Sequence, residues 1–116
     1  IDDTYNANPD STKKSIDLLS NYNKNTVLIL GDMLELGRYK KQFHKEVGVY
    51  AKKRGINIIL GYGDLTKYAV DGFGKKAIFF KDEENLKSYL RENITSKDVI
   101  LIKGSRGMKM EKFKNV

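Results

Sequence analysis

TVLIL, at residues 26–30, is a nearly continuous apolar run that is rich in β-branched residues. Three similar runs follow at residues 56–60, 77–80 and 99–102. Such runs suit strands that are buried on both faces, as the strands of parallel sheets are. The four runs therefore predict a mostly parallel sheet.

Segments with helical spacing of apolar residues separate the strands. One stripe comprises Phe43, Val47, Tyr50, Ala51 and Arg54, and another comprises Leu86, Tyr89 and Leu90. Because helix and strand alternate, the helices should cover both faces of the sheet. The sequence predicts a three-layer, Rossmann-like α/β fold, and 116 residues suffice for a single domain over residues 1–116.

Local signals predict where the helices begin and end. Asn8 can cap the first helix, with Pro9 at its first position and Asp10 in its first turn. The inward stripe of this helix is predicted to be Ile16, Leu19 and Tyr22. Gly55 should end the second helix in a left-handed conformation, and Asp64 and Asp82 should cap the next two.

Composition excludes several classes of function. The chain has no cysteine and a single His44, so the sequence predicts no metal site. The net charge of +7 favours anionic partners, but the lysines are spread along the chain without a dense basic run. No segment has the roughly 20 apolar residues of a membrane span or the pattern of a secretory signal. We expect a soluble, cytoplasmic protein that does not bind nucleic acid.

The beginning of the sequence predicts that the chain is a piece of a longer protein. It starts with Ile1 rather than Met, and Ile1, Asp2 and Asp3 have the pattern of the end of a strand. Adjacent strand residues point to opposite faces, so at most one of Asp2 and Asp3 faces a ligand.

Polar segments follow the predicted strands at residues 4–8, 31–37, 61–64, 81–82 and 103–107. In an open parallel sheet, ligands collect beyond the carboxyl ends of the strands, where helix N-termini offer free amides. Lys103, Ser105 and Arg106 could donate to a carboxylate or phosphate from the last segment, and a glycine turn with solvated side chains is the alternative.

Two other segments carry weaker signals. No Walker A spacing is present, and Gly61, Tyr62 and Gly63 lack the third glycine of a dinucleotide fingerprint, so they predict a tight turn. His44 follows the segment at residues 31–37. It could lie near a site, but no carboxylate stands at an obvious partner position, and the surface is the preferred interpretation.

Three long motifs resemble one family, the Mur ligases. They are DTYNANPDS at residues 3–11, GDMLELG at residues 31–37 and KGSRGMKME at residues 103–111, and HKEVG at residues 44–48 is also similar. Together they resemble the C-terminal domain of the members that add D-alanyl-D-alanine.

The resemblance implies part of a monomeric, three-domain enzyme of peptidoglycan synthesis. ATP would activate the carboxylate of UDP-N-acetylmuramoyl-tripeptide as an acyl phosphate, and the amine of D-alanyl-D-alanine would attack it. The UDP-sugar, the P-loop and Mg²⁺ belong to the other two domains in that family. The chain would therefore hold no catalytic residue and would be inactive alone.

The resemblance also implies roles for individual residues. Asp3 would contact the ATP ribose, and Tyr5, Asn6 and Asn8 would lie beside the nucleoside. The loop with Lys103, Ser105 and Arg106 would lie near the dipeptide carboxylate, with Asp32 and Glu35 near its ammonium group.

Two alternatives to membership of this family remain. One is a stand-alone nucleotide- or anion-binding α/β module, and the other is a nucleic-acid-binding accessory domain.

Overall fold

The computed structural model of the chain describes residues 2–3 and 8–114, without the side chains of Asp2, Asp3 and Arg106. Within these residues strands and helices alternate. The strands are β1 (Asp2–Asp3), β2 (Asn25–Gly31), β3 (Ile58–Tyr62), β4 (Ala77–Phe80) and β5 (Asp98–Lys103). The helices are α1 (Pro9–Ser20), α2 (Lys40–Lys53), α3 (Thr66–Phe73) and α4 (Glu83–Asn93). Short 3-10 turns lie at Gly37–Tyr39, Arg106–Met108 and Met110–Phe113.

The strands form one sheet in the order β1-β5-β2-β3-β4, and every described pair is parallel. This confirms the predicted parallel sheet. β2 lies at its centre, with six of its seven residues buried, because both of its faces are covered by helices. The register pairs Leu30 of β2 with Lys103 of β5, so both strands end at the same edge of the sheet.

Two apolar clusters cover the two faces of the sheet. Leu28 and Leu30 point into the cluster formed with α1, α2 and α3, whereas Val27 and Ile29 point into the cluster formed with α4 and the last 3-10 turn. This alternation follows from the two-residue period of a strand. The three predicted layers are therefore confirmed.

The start of α1 is as predicted. Asn8 is the N-cap and its Oδ1 accepts a hydrogen bond from Ser11 N at 2.9 Å, while Asn8 N donates to Ser11 Oγ at 3.1 Å. Ile16 and Leu19 are fully buried. The prediction that Tyr22 completes the inward stripe is wrong, because α1 ends at Ser20 and Tyr22 lies beyond it with 48% of its surface exposed.

The buried face of α2 is shifted from the predicted stripe. Its buried residues are His44, Val47, Gly48 and Ala51. Phe43 and Tyr50 are half-buried and Arg54 is exposed. The shift arises because α3 packs closely on α2: a methyl group on Gly48 would overlap the Ala69 carbonyl oxygen. The small Gly48 therefore lies at the contact that the larger apolar residues were expected to form.

Two of the three remaining helix signals are confirmed. Gly55 follows α2 with φ +82°, and Asp82 caps α4 by accepting from Asn85 N at 2.8 Å. The prediction that Asp64 caps α3 is wrong. The N-cap position of α3 is Leu65, which has no side-chain cap, and the carboxylate that accepts from the first N–H groups of α3 is Asp32.

Candidate functional site

Two of the predicted polar segments meet at the carboxyl edge of the sheet. One is residues 32–36 between β2 and α2, which we call the central loop, and the other is residues 104–107 after β5, which we call the C-terminal loop. Ser105 N donates to the Asp32 carbonyl oxygen at 3.1 Å, and Leu34 N donates to Ser105 Oγ at 2.7 Å. These two bonds join loops that are about seventy residues apart along the chain, with a separation of 71 for the second.

The start of α1 reaches the same central loop. Thr12 Oγ1 donates to Met33 Sδ at 3.6 Å, and both side chains are fully buried. Asn8, one turn earlier, has an exposed side chain at the N-terminus of α1. The start of α1 therefore lies beside the central loop, whereas residues 4–7 of the first polar segment are outside the described residues. Tyr5 and Asn6 lie outside the described residues.

Asp32 has an internal role in the fold. Its side chain is 9% exposed, and its Oδ1 accepts from Leu65 N at 3.0 Å and from Thr66 N at 3.1 Å. Burial raises the pKa of the Asp32 carboxyl above its usual value, whereas the field of His44 and the two N–H donors act in the opposite direction. The Asp32 carboxylate thus fixes the central loop to α3, and its predicted contact with a ligand ammonium group stays a prediction.

His44 is fully buried, so the surface interpretation of this residue is wrong. Its Nε2 lies 2.9 Å from Met33 N and its Nδ1 lies 2.6 Å from the Lys40 carbonyl oxygen. Burial lowers the pKa of the imidazole, while the hydrogen bond to Lys40 and the charge of Asp32 favour protonation. No sequence pattern predicts this burial, because the partners of His44 are main-chain atoms rather than a carboxylate.

Glu35 lies at the tip of the central loop. It is exposed and has a left-handed backbone with φ +64°, a conformation that is costly for a residue other than glycine. A concave surface of about 470 Å³ lies beside it, lined by Met33, Leu36, Arg38 and Leu65 among others. Glu35 is therefore the acidic side chain of the central loop that a ligand could reach directly.

Lys103 lies beneath the rim, by which we mean the carboxyl edge of the sheet where the two loops meet. It ends β5 between Asp3 of β1 and Leu30 of β2 in the strand register, and its side chain is fully buried. A direct contact of Lys103 with a ligand stays a prediction, since the ammonium group is covered by protein in this structure. The register does bring Asp3, expected at the nucleoside, next to a residue of the expected dipeptide site.

The C-terminal loop continues into a 3-10 turn that begins at Arg106, where Met108 N donates to the Ser105 carbonyl oxygen at 2.9 Å. The Arg106 side chain is outside the described residues. Sequence reasoning missed Met110, which is fully buried and lies against Gly31 and Gly104 at the ends of β2 and β5. A Cβ at either glycine would overlap Met110, so glycines that end two adjacent strands were the available signal.

Among the side chains that the structure describes, within residues 8–114, no group of three or more His, Asp and Glu could hold a metal ion. No helix among the described residues is long and apolar enough to cross a membrane.

The parallel, three-layer α/β fold, with two loops that meet at the carboxyl edge of its sheet, is typical of the class of domains that bind ligands at that edge. Residues 1–106 match the sequence profile of a family described as Mur ligase, glutamate ligase domain. The chain belongs to the Mur ligase family.

Its relatives include UDP-N-acetylmuramoyl-tripeptide–D-alanyl-D-alanine ligases. The one from Bacillus subtilis is 39% identical over 97% of this chain and 26% of the relative, and the one from Haemophilus influenzae is 37% identical over 96% and 25%. A crystal structure of MurF ligase from Thermotoga maritima in complex with ADP is similar with a TM-score of 0.78 and 29% identity, over 97% of this chain and 26% of that one. The chain spans about a quarter of the length of the relatives it matches.

Proposed function

We propose that this chain is the domain of an ATP-dependent amide ligase that receives D-alanyl-D-alanine for addition to UDP-N-acetylmuramoyl-tripeptide. The reaction is a step of peptidoglycan synthesis in the cytoplasm. The observation that carries the proposal is the junction of the central loop with the C-terminal loop through Ser105, because these two loops hold the candidate residues for the two ends of the dipeptide. The names of the relatives support the choice of substrates.

The dipeptide is a zwitterion, so a site for it needs an anionic group at one end and a cationic group at the other. We assign Glu35 to the ammonium group, since it is exposed at the tip of the central loop. We assign Arg106 to the carboxylate, since its guanidinium group can form two parallel hydrogen bonds with it. Ser105 and Asp32 hold the two loops in place, and Lys103 supports the rim from below.

The nucleotide would lie at the neighbouring end of β1. We assign Asp3 to the ribose hydroxyl groups and Tyr5, Asn6 and Asn8 to the nucleoside. The exposed Asn8 side chain marks the N-terminus of α1, whose dipole and amides favour an anionic ligand nearby. The ADP in the similar Thermotoga structure is consistent with a nucleotide in proteins of this fold.

In the proposed reaction the tripeptide carboxylate takes the terminal phosphoryl group of ATP, and ADP leaves. The dipeptide amine then attacks the acyl carbon, phosphate leaves, and the amine loses a proton. This chain would bind and orient the amine, since the described residues offer no set of ligands for Mg²⁺ and the sequence has no P-loop. The catalytic residues would belong to the other domains of the ligase.

The proposal is tested in the complete ligase that contains this chain. It should form ADP, phosphate and the pentapeptide product when ATP, UDP-N-acetylmuramoyl-tripeptide and D-alanyl-D-alanine are all present. The substitution Glu35→Gln should raise the KM for the dipeptide about tenfold, as expected for the loss of a charge-assisted hydrogen bond. Glu92→Gln makes the same change of charge at an exposed position near the end of α4, outside the two loops, and should leave that KM unaltered.

Calorimetry on the chain alone separates the alternatives. A domain that depends on closure with partner domains should bind ATP in the millimolar range or weaker, because the contacts from those domains are absent. Tight binding of ATP by the chain alone would favour a stand-alone nucleotide module. Tight binding of an oligonucleotide that weakens steeply with salt would favour a nucleic-acid-binding domain. Either result would contradict the proposal.

A further inference from the structure

His44 is a fully buried polar residue to which the proposed function gives no role. It lies on the face of α2 that packs under the central loop, and its two ring nitrogens face two main-chain groups, Met33 N and the Lys40 carbonyl oxygen. The charge of Asp32, in the central loop, acts on the imidazole. The side chain therefore connects the first turn of α2 to the middle of the central loop.

The two partners define the protonation of the ring. A carbonyl oxygen only accepts hydrogen bonds, so Nδ1 must carry a proton and donate it to Lys40 O. A backbone N–H only donates, so Nε2 must be unprotonated and accept from Met33 N. The imidazole is accordingly neutral, with its proton on Nδ1, and neither nitrogen has an alternative role in this arrangement.

The hydrogen bond to Met33 N fixes the path of the central loop. Met33 itself is fully buried and anchors the loop in the core, whereas Leu34 is 39% exposed and Glu35 is exposed at the tip. Without an acceptor at Nε2, Met33 N would be a buried donor with no partner, a costly arrangement that shifts of the loop would relieve. The position of Glu35 therefore depends on His44, although the two side chains belong to different elements.

We propose that His44 is a positioning residue: its unprotonated Nε2 holds Met33 N and so sets the point at which Leu34 and Glu35 leave the core toward the ligand. The effect of His44 on dipeptide binding rests on the proposed function. The effect of His44 on the path of the central loop does not, and the two effects are measured separately.

The kinetic test uses two substitutions of nearly equal size in the complete ligase. His44→Met fills the space but offers no oxygen or nitrogen acceptor, whereas His44→Gln can place its Oε1 near the position of Nε2. We expect His44→Met to raise the KM for D-alanyl-D-alanine about tenfold, with the KM for ATP unchanged, because one buried N–H loses its partner. His44→Gln should raise the dipeptide KM by clearly less. Equal increases of the dipeptide KM in both variants would mean that His44 only fills space in the core, and this result would overturn the proposal.

The second test needs no substitution and no enzymatic activity. In the ¹⁵N-histidine spectrum of the wild-type chain at neutral pH, Nδ1 of His44 should be protonated, Nε2 should be bare, and Nε2 should show coupling to the Met33 amide. A proton on Nε2, or no coupling to Met33, would overturn the proposal. If the wild-type ligase does not use D-alanyl-D-alanine, the proposed function fails, and this spectrum still decides the role of His44. Because the spectrum is recorded on the wild-type chain, it also tests the role of His44 in the case that the variants do not fold.

Discussion

The Asp32 carboxylate accepts a hydrogen bond from Leu65 N at 3.0 Å, so a residue of the central loop caps a helix that begins more than thirty residues later. The same oxygen accepts from Thr66 N at 3.1 Å. These bonds satisfy the N–H groups of the N-cap residue Leu65 and of Thr66, the first residue of α3, which has no side-chain cap of its own. The central loop and the helix that packs on α2 are thereby joined at one carboxylate.

The first prediction concerns this cap. Asp32→Ala should lower the free energy of unfolding by about 1–2 kcal/mol, as loss of an N-cap usually does. Asp32→Asn keeps an acceptor oxygen and should remain close to wild type. Asp64→Ala is the matched control, because Asp64 stands before α3 without capping it, and it should change stability by no more than about 0.5 kcal/mol. Urea unfolding measures all three, and equal losses at Asp32 and Asp64 would contradict the assignment.

The second prediction concerns pH. Burial lowers the pKa of His44 from about 6.5, so the unfolded chain binds this proton at a higher pH than the folded chain does. The contribution of His44 to stability is therefore complete above about pH 6.5 and is lost as the pH falls toward the lower pKa of the folded state. Unfolding of wild type and His44→Gln across this range should show a decline in wild type that the variant lacks.

Asp32 acts on the same curve with the opposite sign. Its pKa is raised by burial, so the stability that it contributes in its protonated form is lost as the pH rises through that value. Because Asp32 and His44 act on each other's charge, His44→Gln also alters the titration of Asp32, and the difference between the two curves reports His44 together with its coupling to Asp32. A difference that does not change between neutral pH and the acid range would contradict a neutral, buried imidazole.

The third prediction concerns the contact between α2 and α3. Replacing an exposed Gly inside a helix by Ala usually raises the free energy of unfolding by about 1 kcal/mol. At Gly48 the added methyl would overlap the Ala69 carbonyl oxygen, so Gly48→Ala should instead lower stability by about 1–3 kcal/mol. Thermal or urea unfolding gives the sign directly. A gain in stability would mean that the two helices are not in this close contact.

The fourth prediction concerns Arg106, which the resemblance places near the dipeptide carboxylate. In the complete ligase, Arg106→Ala should raise the KM for D-alanyl-D-alanine about tenfold, since a hydrogen bond between charged groups is lost. Arg91→Ala removes the same charge from the exposed surface of α4 and serves as the control. An unchanged dipeptide KM in Arg106→Ala would remove this residue from the site.

Sequence reasoning predicted those parts of the fold that depend on neighbours along the chain. The strands follow from uninterrupted apolar runs, and the start of α1 follows from Asn8 and Pro9, whose effects reach only one turn. The end of α2 at Gly55 is equally local, because a left-handed residue is needed there.

The predictions were wrong where a segment that is distant in the sequence determines the local structure. Asp64 has the right type and position for a cap, but Asp32 arrives from another loop and takes that role. His44 lies on the buried face of α2 because main-chain atoms of Met33 and Lys40 satisfy its ring, and no side-chain pattern encodes main-chain partners. The convergence of the two loops could be expected from the parallel sheet, whereas the burial of Lys103 could not.

The central loop is anchored on both sides of Glu35, since Leu36 packs against the core on the far side of the tip. Asp32, Met33 and Leu34 have partners on α3, α2 and the C-terminal loop, respectively, while the tip at Glu35 projects beyond these anchors. For protein engineering, this separates what must be kept from what can be exchanged. A library that varies Glu35 and its exposed neighbours, with the anchoring residues left intact, could search for acceptance of other amines without unfolding the scaffold.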